Sequence, residues 1–276
     1  MPGPKAETVE RLKTAIAALE KRPPLAVVPA LSAVDPGFGP LELLAAPGGL
    51  LHEVFLAERR HCGAGLGFSL GLAQRLLTPV RQAVLYLELA AETQEMGFPY
   101  APGLSSLGFD PDRLVLCRIE TMTELLWALE ESLGCRAVAA VIADVPGHEN
   151  DLDFTASRRL SLKTAASGAS AFLLRYSKER EASAAKLRWR IAPAVSAGQP
   201  FDATAPGPPR FAVTLEKSRL GIEAQRLEGQ GFELDWVDHG FVIVEPGGKR
   251  RAFVPRRPAP SRPQPAELGD RLSEAS

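Results

Sequence analysis

Residues 61–71, His-Cys-Gly-Ala-Gly-Leu-Gly-Phe-Ser-Leu-Gly, carry two overlapping signatures for chemistry. Gly67, Ser69 and Gly71 have the G-x-S-x-G spacing of a nucleophile elbow, where a sharp strand-to-helix turn exposes a serine Oγ. Gly63, Ala64 and Gly65 fall where a phosphate loop would sit, between a strand and a helix. The elbow fails on position. Ser69 lies several residues inside a helical pattern, and the nearest upstream strand ends near Leu56. Asp144 and His239 would complete a triad in chain order, but a chain of this length offers many such pairs. The phosphate loop fails on content. A working loop needs a Lys for the β/γ oxygens and a hydroxyl for Mg²⁺. Ala64 and Gly65 stand in those positions, so the main charge-stabilising groups for phosphoryl transfer are missing. Arg59 and Arg60 precede the turn and read as solvated cations.

Two acids end apolar strands. Asp144 closes the run Val-Ala-Ala-Val-Ile-Ala, the form of a strand whose Asp holds Mg²⁺. Glu88 ends Ala-Val-Leu-Tyr-Leu, where an ATPase places the acid that orients its attacking water. Each acid alone reads equally as a strand-end hydrogen-bonding group. His148, Glu149, Asp151 and Asp153 crowd together without tight metal-ligand spacing and read as a solvated loop. G-x-G-x-x-G is absent, so a dinucleotide site has no support. No cofactor is expected, and ATP with Mg²⁺ would enter only if the degenerate site still works.

The elements that must position these residues follow from periodicity. Residues 5–22 predict an amphipathic helix with Val9, Leu12, Ile16 and Leu19 on one stripe. Pro23-Pro24 ends it, and a Pro/Gly-rich linker runs over 23–46. Short apolar strands at 53–56, 83–87, 113–117, 137–143, 171–174 and 187–191 then alternate with helices at 65–77, 121–134 and 157–166. Thr121 and Glu124 have capping-box spacing, and Gly134 sits at the helix end. Strands that are apolar throughout are buried on both faces. The expected fold is therefore α/β, a mostly parallel sheet flanked by helices and joined by right-handed crossovers, over 47–195. Ligands of such sheets bind beyond the carboxyl ends of the strands, where Glu88, Asp144 and the glycine turn would gather. Residues 196–254 read as a C-terminal extension of short strands, with a hairpin turn at Asp238-His239-Gly240. Residues 255–276, rich in Pro and Arg, read as a disordered tail.

With 32 basic and 33 acidic residues, the chain has no global basic field to attract nucleic acid. Cys62, Cys117 and Cys135 are widely spaced and read as buried thiols in a reducing cytoplasm. No apolar run is long enough to span a bilayer, and no membrane partner is expected. The polar N-terminus does not read as a signal peptide.

The order of these parts resembles the RecA recombinase core over about 47–192. Gly-Gly-Leu-Leu-His-Glu-Val-Phe (48–55) resembles its entry strand, and Ala-Val-Leu-Tyr-Leu-Glu-Leu (83–89) the strand bearing its catalytic Glu. Residues 107–133 resemble its Leu-Gly-x-Asp segment and following helix, and 135–144 its Mg²⁺-binding strand. Residues 170–191 resemble the strand, mobile loop and returning strand that carry DNA. The Leu-His-Glu-Val-Phe entry, the close at Ala184–Ile191 and Pro-Pro-Arg-Phe-Ala-Val-Thr-Leu-Glu-Lys-Ser-Arg (208–219) together resemble the ImuA family, RecA-like proteins of bacterial damage-inducible mutagenesis cassettes. That resemblance implies a degraded ATP site and a role in error-prone translesion synthesis. It also implies an ImuB-like inactive Y-family polymerase as partner, an error-prone replicative-type polymerase reached through it, and contact with RecA.

Two functions are thus expected to compete. In the first, the chain is a non-catalytic adaptor, and the stripe Val9, Leu12, Ile16 and Leu19 anchors a partner or packs on its own domain. In the second, it is an ATP-dependent, DNA-binding ATPase with a degenerate phosphate loop. Arg175, Lys178, Arg180, Lys186, Arg188 and Arg190 would then meet DNA phosphates. Strand alternation puts Arg188 and Arg190 on one face, with Leu187, Trp189 and Ile191 on the other.

Overall fold

The computed structural model describes residues 39–92, 97–146, 152–178, 180–199, 202–238, 240–244 and 250–252. The stripe at Val9, Leu12, Ile16 and Leu19, the tail, His148, Glu149, Asp151 and His239 lie outside the described residues.

A short helix α1 (Pro40–Leu44) leads into β1 (Leu51–Leu56), a 3-10 turn (Arg59–His61) and α2 (Cys62–Gln74). Then come β2 (Ala83–Leu89), α3 (Ala101–Ser106), β3 (Leu114–Ile119), α4 (Met122–Leu133), β4 (Val138–Val145), α5 (Phe154–Ser167), β5 (Ser170–Arg175) and β6 (Leu187–Ala194). A small ribbon of β7 (Gly198–Gln199) and β8 (Asp202–Pro206) follows. The last elements are β9 (Arg210–Ser218), α6 (Ile222–Gln225), β10 (Gly231–Val237), β11 (Gly240–Val244) and β12 (Arg250–Ala252).

Ten strands form one sheet in the order β12-β11-β10-β9-β6-β1-β5-β4-β2-β3. The six from β6 to β3 are mutually parallel, and β9 to β12 continue antiparallel from β6. This is the RecA-like α/β arrangement that the sequence led us to expect. The four later strands extend the same sheet instead of building a second one.

β1, β4 and β5 are buried at every position, as strands covered on both faces must be. α2 covers one face, where Phe68 and Leu70 join Val54, Leu56, Trp189 and Ile191. α4 and α5 cover the other, where Leu125, Leu129, Leu133 and Leu160 meet Leu51, Val141 and Leu173. The capping box at Thr121 forms in both directions. α5 ends at Gly168 with φ +79°, the left-handed cap that glycine adopts without Cβ strain.

Three expectations need correction. β3 is an edge strand with Val115 and Leu116 exposed, because β2 is its one partner in the sheet. Cys135 is exposed and the other two thiols are half-buried; none of the three is in a disulfide. The third concerns the glycine turn. α2 begins at Cys62, so Gly63, Ala64 and Gly65 are helical, preceded by the 3-10 turn and not by a cradling loop.

Candidate functional site

The sequence places its glycines in α2 for packing. A Cβ on Gly65 would lie 2.6 Å from Leu56 Cδ1, and one on Gly71 would enter the Phe241 ring. A Cβ on Gly67 would come 3.2 Å from the Phe211 ring. These glycines let the helix lie against β1, β9 and β11. Gly63 is different: a Cβ there meets open space. Ser69 is fully buried mid-helix, so the serine-elbow reading falls for the reason the periodicity gave.

Glu88 and Asp144 do gather at the carboxyl ends of adjacent β2 and β4, both 3% exposed. Arg59, which the sequence reads as a solvated cation, lies on Asp144 instead. Its guanidinium is 3.4 Å from Asp144 Oδ1, pairs with Glu92 at 2.7 Å, and stacks 4.6 Å above the Tyr176 ring. The Tyr86 hydroxyl donates to Asp144 Oδ2 at 3.3 Å. Burial pushes the Asp144 carboxyl above its usual range, while Arg59 and the neighbouring tyrosines pull it back. Burial likewise raises the Tyr86 and Tyr176 hydroxyls, and the Asp144 charge raises both further. Burial raises the Cys62 thiol too, so the cysteine opening α2 is a poor nucleophile. A carboxylate ready for Mg²⁺ needs open valences toward solvent; Asp144 spends its two oxygens on Arg59 and Tyr86. Among the described residues, no group of three or more His, Cys, Asp or Glu is placed to hold a metal.

The six basic residues divide. Arg188 and Arg190 share a face of β6, as alternation requires, but Arg188 is buried. It binds Glu53 through two nitrogens, Nε at 2.9 Å and an Nη at 2.8 Å, and donates to the Glu181 carbonyl. Arg175 lies 3.9 Å from Glu53 and 3.3 Å from the Glu181 carboxylate. Arg180 grips Glu216 at 2.6 and 2.9 Å and sits 3.9 Å above the Phe55 ring. Arg175 and Arg188 flank the same ring at 5.8 and 5.4 Å. Three guanidiniums and three carboxylates thus form a network around Phe55, and Arg190 reaches the same Glu216 at 3.5 Å from the exposed side. Lys178 and Arg190 face solvent and Lys186 is half-exposed.

Sequence reasoning missed two features. His52 is fully buried, stacks on Phe172 at 4.4 Å and accepts the Trp189 indole N–H at 3.2 Å. Burial drops its pKa to about 3, so the ring is neutral. The other is a cavity of about 530 Å³ beside the start of α2. Gly63, Ala64, Gly67 and Leu70 form one wall, Leu104 and Leu107 of the α3 region a second, and Phe211 and Trp236 its floor. Neither has a local signal, since each is assembled from segments far apart in the chain.

No family model matches the chain. The protein named Protein ImuA from Caulobacter vibrioides strain NA1000 / CB15N is 37% identical over 169 residues, covering 54% of this chain and 67% of that protein. Protein ImuA from Caulobacter vibrioides strain CB 15 gives the same identity and coverage. Among the described residues no helix is long and apolar enough to cross a membrane.

Proposed function

The chain belongs to the ImuA family, and from that premise we propose that it is a non-catalytic, RecA-shaped adaptor in damage-induced, error-prone translesion synthesis. The family is one of bacterial damage-induced mutagenesis cassettes. In this reading the chain binds an ImuB-like inactive Y-family polymerase, through it an error-prone replicative-type polymerase, and RecA. It works in the cytoplasm without a cofactor.

The observation that carries the reading is Arg59 on Asp144. A phosphoryl-transfer site must hold Mg²⁺ and a Lys against the phosphates. Here a resident guanidinium supplies the positive charge that Mg²⁺ would bring, and Ala64 and Gly65 replace the Lys and hydroxyl. Of the glycines that suggest a phosphate loop, Gly65 is explained by helix–sheet contact, while Gly63 lies in the first turn of α2 facing open space. The remaining shape is suited to binding.

Direct DNA contact is compatible with this reading through Lys178, Lys186 and Arg190, and it would be weak and salt-dependent. The competing ATPase reading rests on Glu88 and Asp144 alone. Titrating the full chain with ATP and Mg²⁺ separates the two, with Asp144→Ala as control. The adaptor predicts no Mg²⁺-dependent binding and no turnover, together with capture of the ImuB-like protein by wild type and Asp144→Ala alike. Mg²⁺-dependent ATP binding that disappears in Asp144→Ala would overturn it. Truncation near residue 200 is a poor probe of partner binding, because it strips β9 from β6 and opens the core.

A further inference from the structure

One edge of the sheet is left open. β3 ends it, held on one side by β2 through six successive parallel pairs, and among the described residues no strand lies on its other side. A strand in that position presents a row of backbone N–H and C=O groups that another extended segment pairs. Edges are usually blunted by Pro, by a bulge or by charge. β3 reads Leu-Val-Leu-Cys-Arg-Ile; it has no Pro and no bulge, and its one charge, Arg118, comes fifth. Val115 is 45% and Leu116 40% exposed, on opposite faces of the strand. Leu114 packs toward the α2 side of the sheet, Cys117 and Ile119 toward the α4 side. Leu116 and Arg118 therefore share the face of Leu114. Arg118 is exposed, its guanidinium 4.0 Å from the Phe98 ring centroid. Asp112 is exposed in the 3-10 turn (Pro111–Arg113) that leads into the strand.

This edge is complementary to itself. Two copies related by a two-fold axis pair antiparallel, with one residue facing its own counterpart. With Val115 on the axis, Leu114 of each copy opposes Leu116 of the other, and Asp112 comes to the Arg118 end of the other strand, twice by symmetry. Arg113, opposite Cys117 in this register, is paired with Asp110 at 3.3 Å. Other registers fit worse. An axis at Leu116 sets Leu114 against Arg118 and brings Asp112 to Glu120, two like charges. An axis at Cys117 sets Leu116 against Arg118 and Leu114 against Glu120, and one at Leu114 brings Leu116 to Asp112. On the face of Leu114 and Leu116, the Val115 register alone among these matches apolar with apolar and acid with base. We propose that the chain forms a two-fold homodimer through β3, in the register centred on Val115, joining the sheets of the two copies into one. The proposal stands apart from the adaptor reading, and a dimer would present every partner-binding surface twice.

The test is sedimentation equilibrium of the full chain alone, at concentrations from about 1 to 100 µM. The wild type should populate a dimer in that range. Val115→Lys sets two like charges on the axis and should weaken association at least about tenfold. Asp112→Arg and Arg118→Asp each set like charges face to face and should also weaken it by about tenfold. The swap Asp112→Arg/Arg118→Asp should return it to within about threefold of wild type, a rescue that a merely perturbed surface would not show. Val115→Cys should give a disulfide-linked dimer on mild oxidation in higher yield than wild type, because facing Cα atoms about 4.5–5.5 Å apart lie within disulfide reach. Far-UV circular dichroism verifies the fold of each variant, and the charge variants, at exposed positions, carry the test if Val115→Lys unfolds. A wild type that stays monomeric throughout would overturn the proposal. So would a dimer that Val115→Lys and Asp112→Arg leave unchanged, or single swaps that dissociate without rescue by the double. Capture of the ImuB-like protein lost in Val115→Lys, with the wild type alone monomeric, would assign the edge to a strand of that partner and overturn it as well.

Discussion

Glu53 is the carboxylate that the interior can least do without. Its side chain is 3% exposed, between Arg175 at 3% and Arg188 at 9%. Glu53→Gln keeps the shape and removes the charge. Three guanidiniums (Arg175, Arg180, Arg188) would then face two carboxylates (Glu181, Glu216), and Arg188 would lose a two-nitrogen grip of 2.8–2.9 Å. Stripping one partner from a buried pair costs about 3–5 kcal/mol, because the remaining charge stays desolvated. At roughly 2–4 °C per kcal/mol for a chain of this size, melting should fall by about 6–20 °C. Removing both partners as Glu53→Met/Arg188→Met should recover more than half of that loss, since apolar side chains of similar volume replace a buried pair at little net cost. Denaturant and thermal unfolding of wild type, both singles and the double complete the cycle. A Glu53→Gln cost below about 1 kcal/mol would place these charges effectively in water, within the range of surface pairs, and refute the account. A double variant worse than either single would do the same.

Other perturbations follow from the same contacts. His52 stays neutral when folded, with a pKa of about 3 against 6.5 unfolded. Its proton is therefore taken up by the unfolded state first, and stability should fall as pH drops below about 6.5, by up to ~1.4 kcal/mol per pH unit. His52→Gln should flatten that slope in unfolding curves taken from pH 7 to 5. Asp144 behaves oppositely: burial raises its pKa, so its charged form becomes a burden as pH rises. Asp144→Asn should be at least as stable as wild type at pH 8, with the difference shrinking toward pH 4; a variant less stable at pH 8 would contradict this. Gly71→Ala should cost about 1–3 kcal/mol through its clash with Phe241. Gly63→Ala, facing open space, should be neutral or gain up to about 1 kcal/mol, as equilibrium unfolding would record.

The strands were legible because β1, β4 and β5 are buried on both faces and carry apolar runs in register with that burial. Their ends extended by one to three residues where a polar residue is paired across the sheet, as at His52 and Arg175. The start of α2 was not legible, since three glycines in five residues suggest a turn unless the contacts of Leu56 are known. The alternation at Arg188 and Arg190 was right, yet their availability was not. Glu53 and Arg188 are 135 positions apart and meet through the parallel register of β1 on β6. Arg59 on Asp144 and the cavity floored by Trp236 are hidden for the same reason: long crossovers bring together what spacing keeps apart.

The position of β1 sets a timetable for synthesis. Both of its neighbours, β5 and β6, begin at Ser170 or later. At about 5–20 residues per second, the fully buried strand β1 waits roughly 6–24 s after Leu51 is made before a partner strand exists. During that interval Leu50, Leu51, Val54, Phe55 and Leu56 have no native cover in the sheet. A chain built this way folds late and as one unit. Its yield in the cell should therefore depend on translation speed and chaperone supply more than the stability of the finished core would suggest.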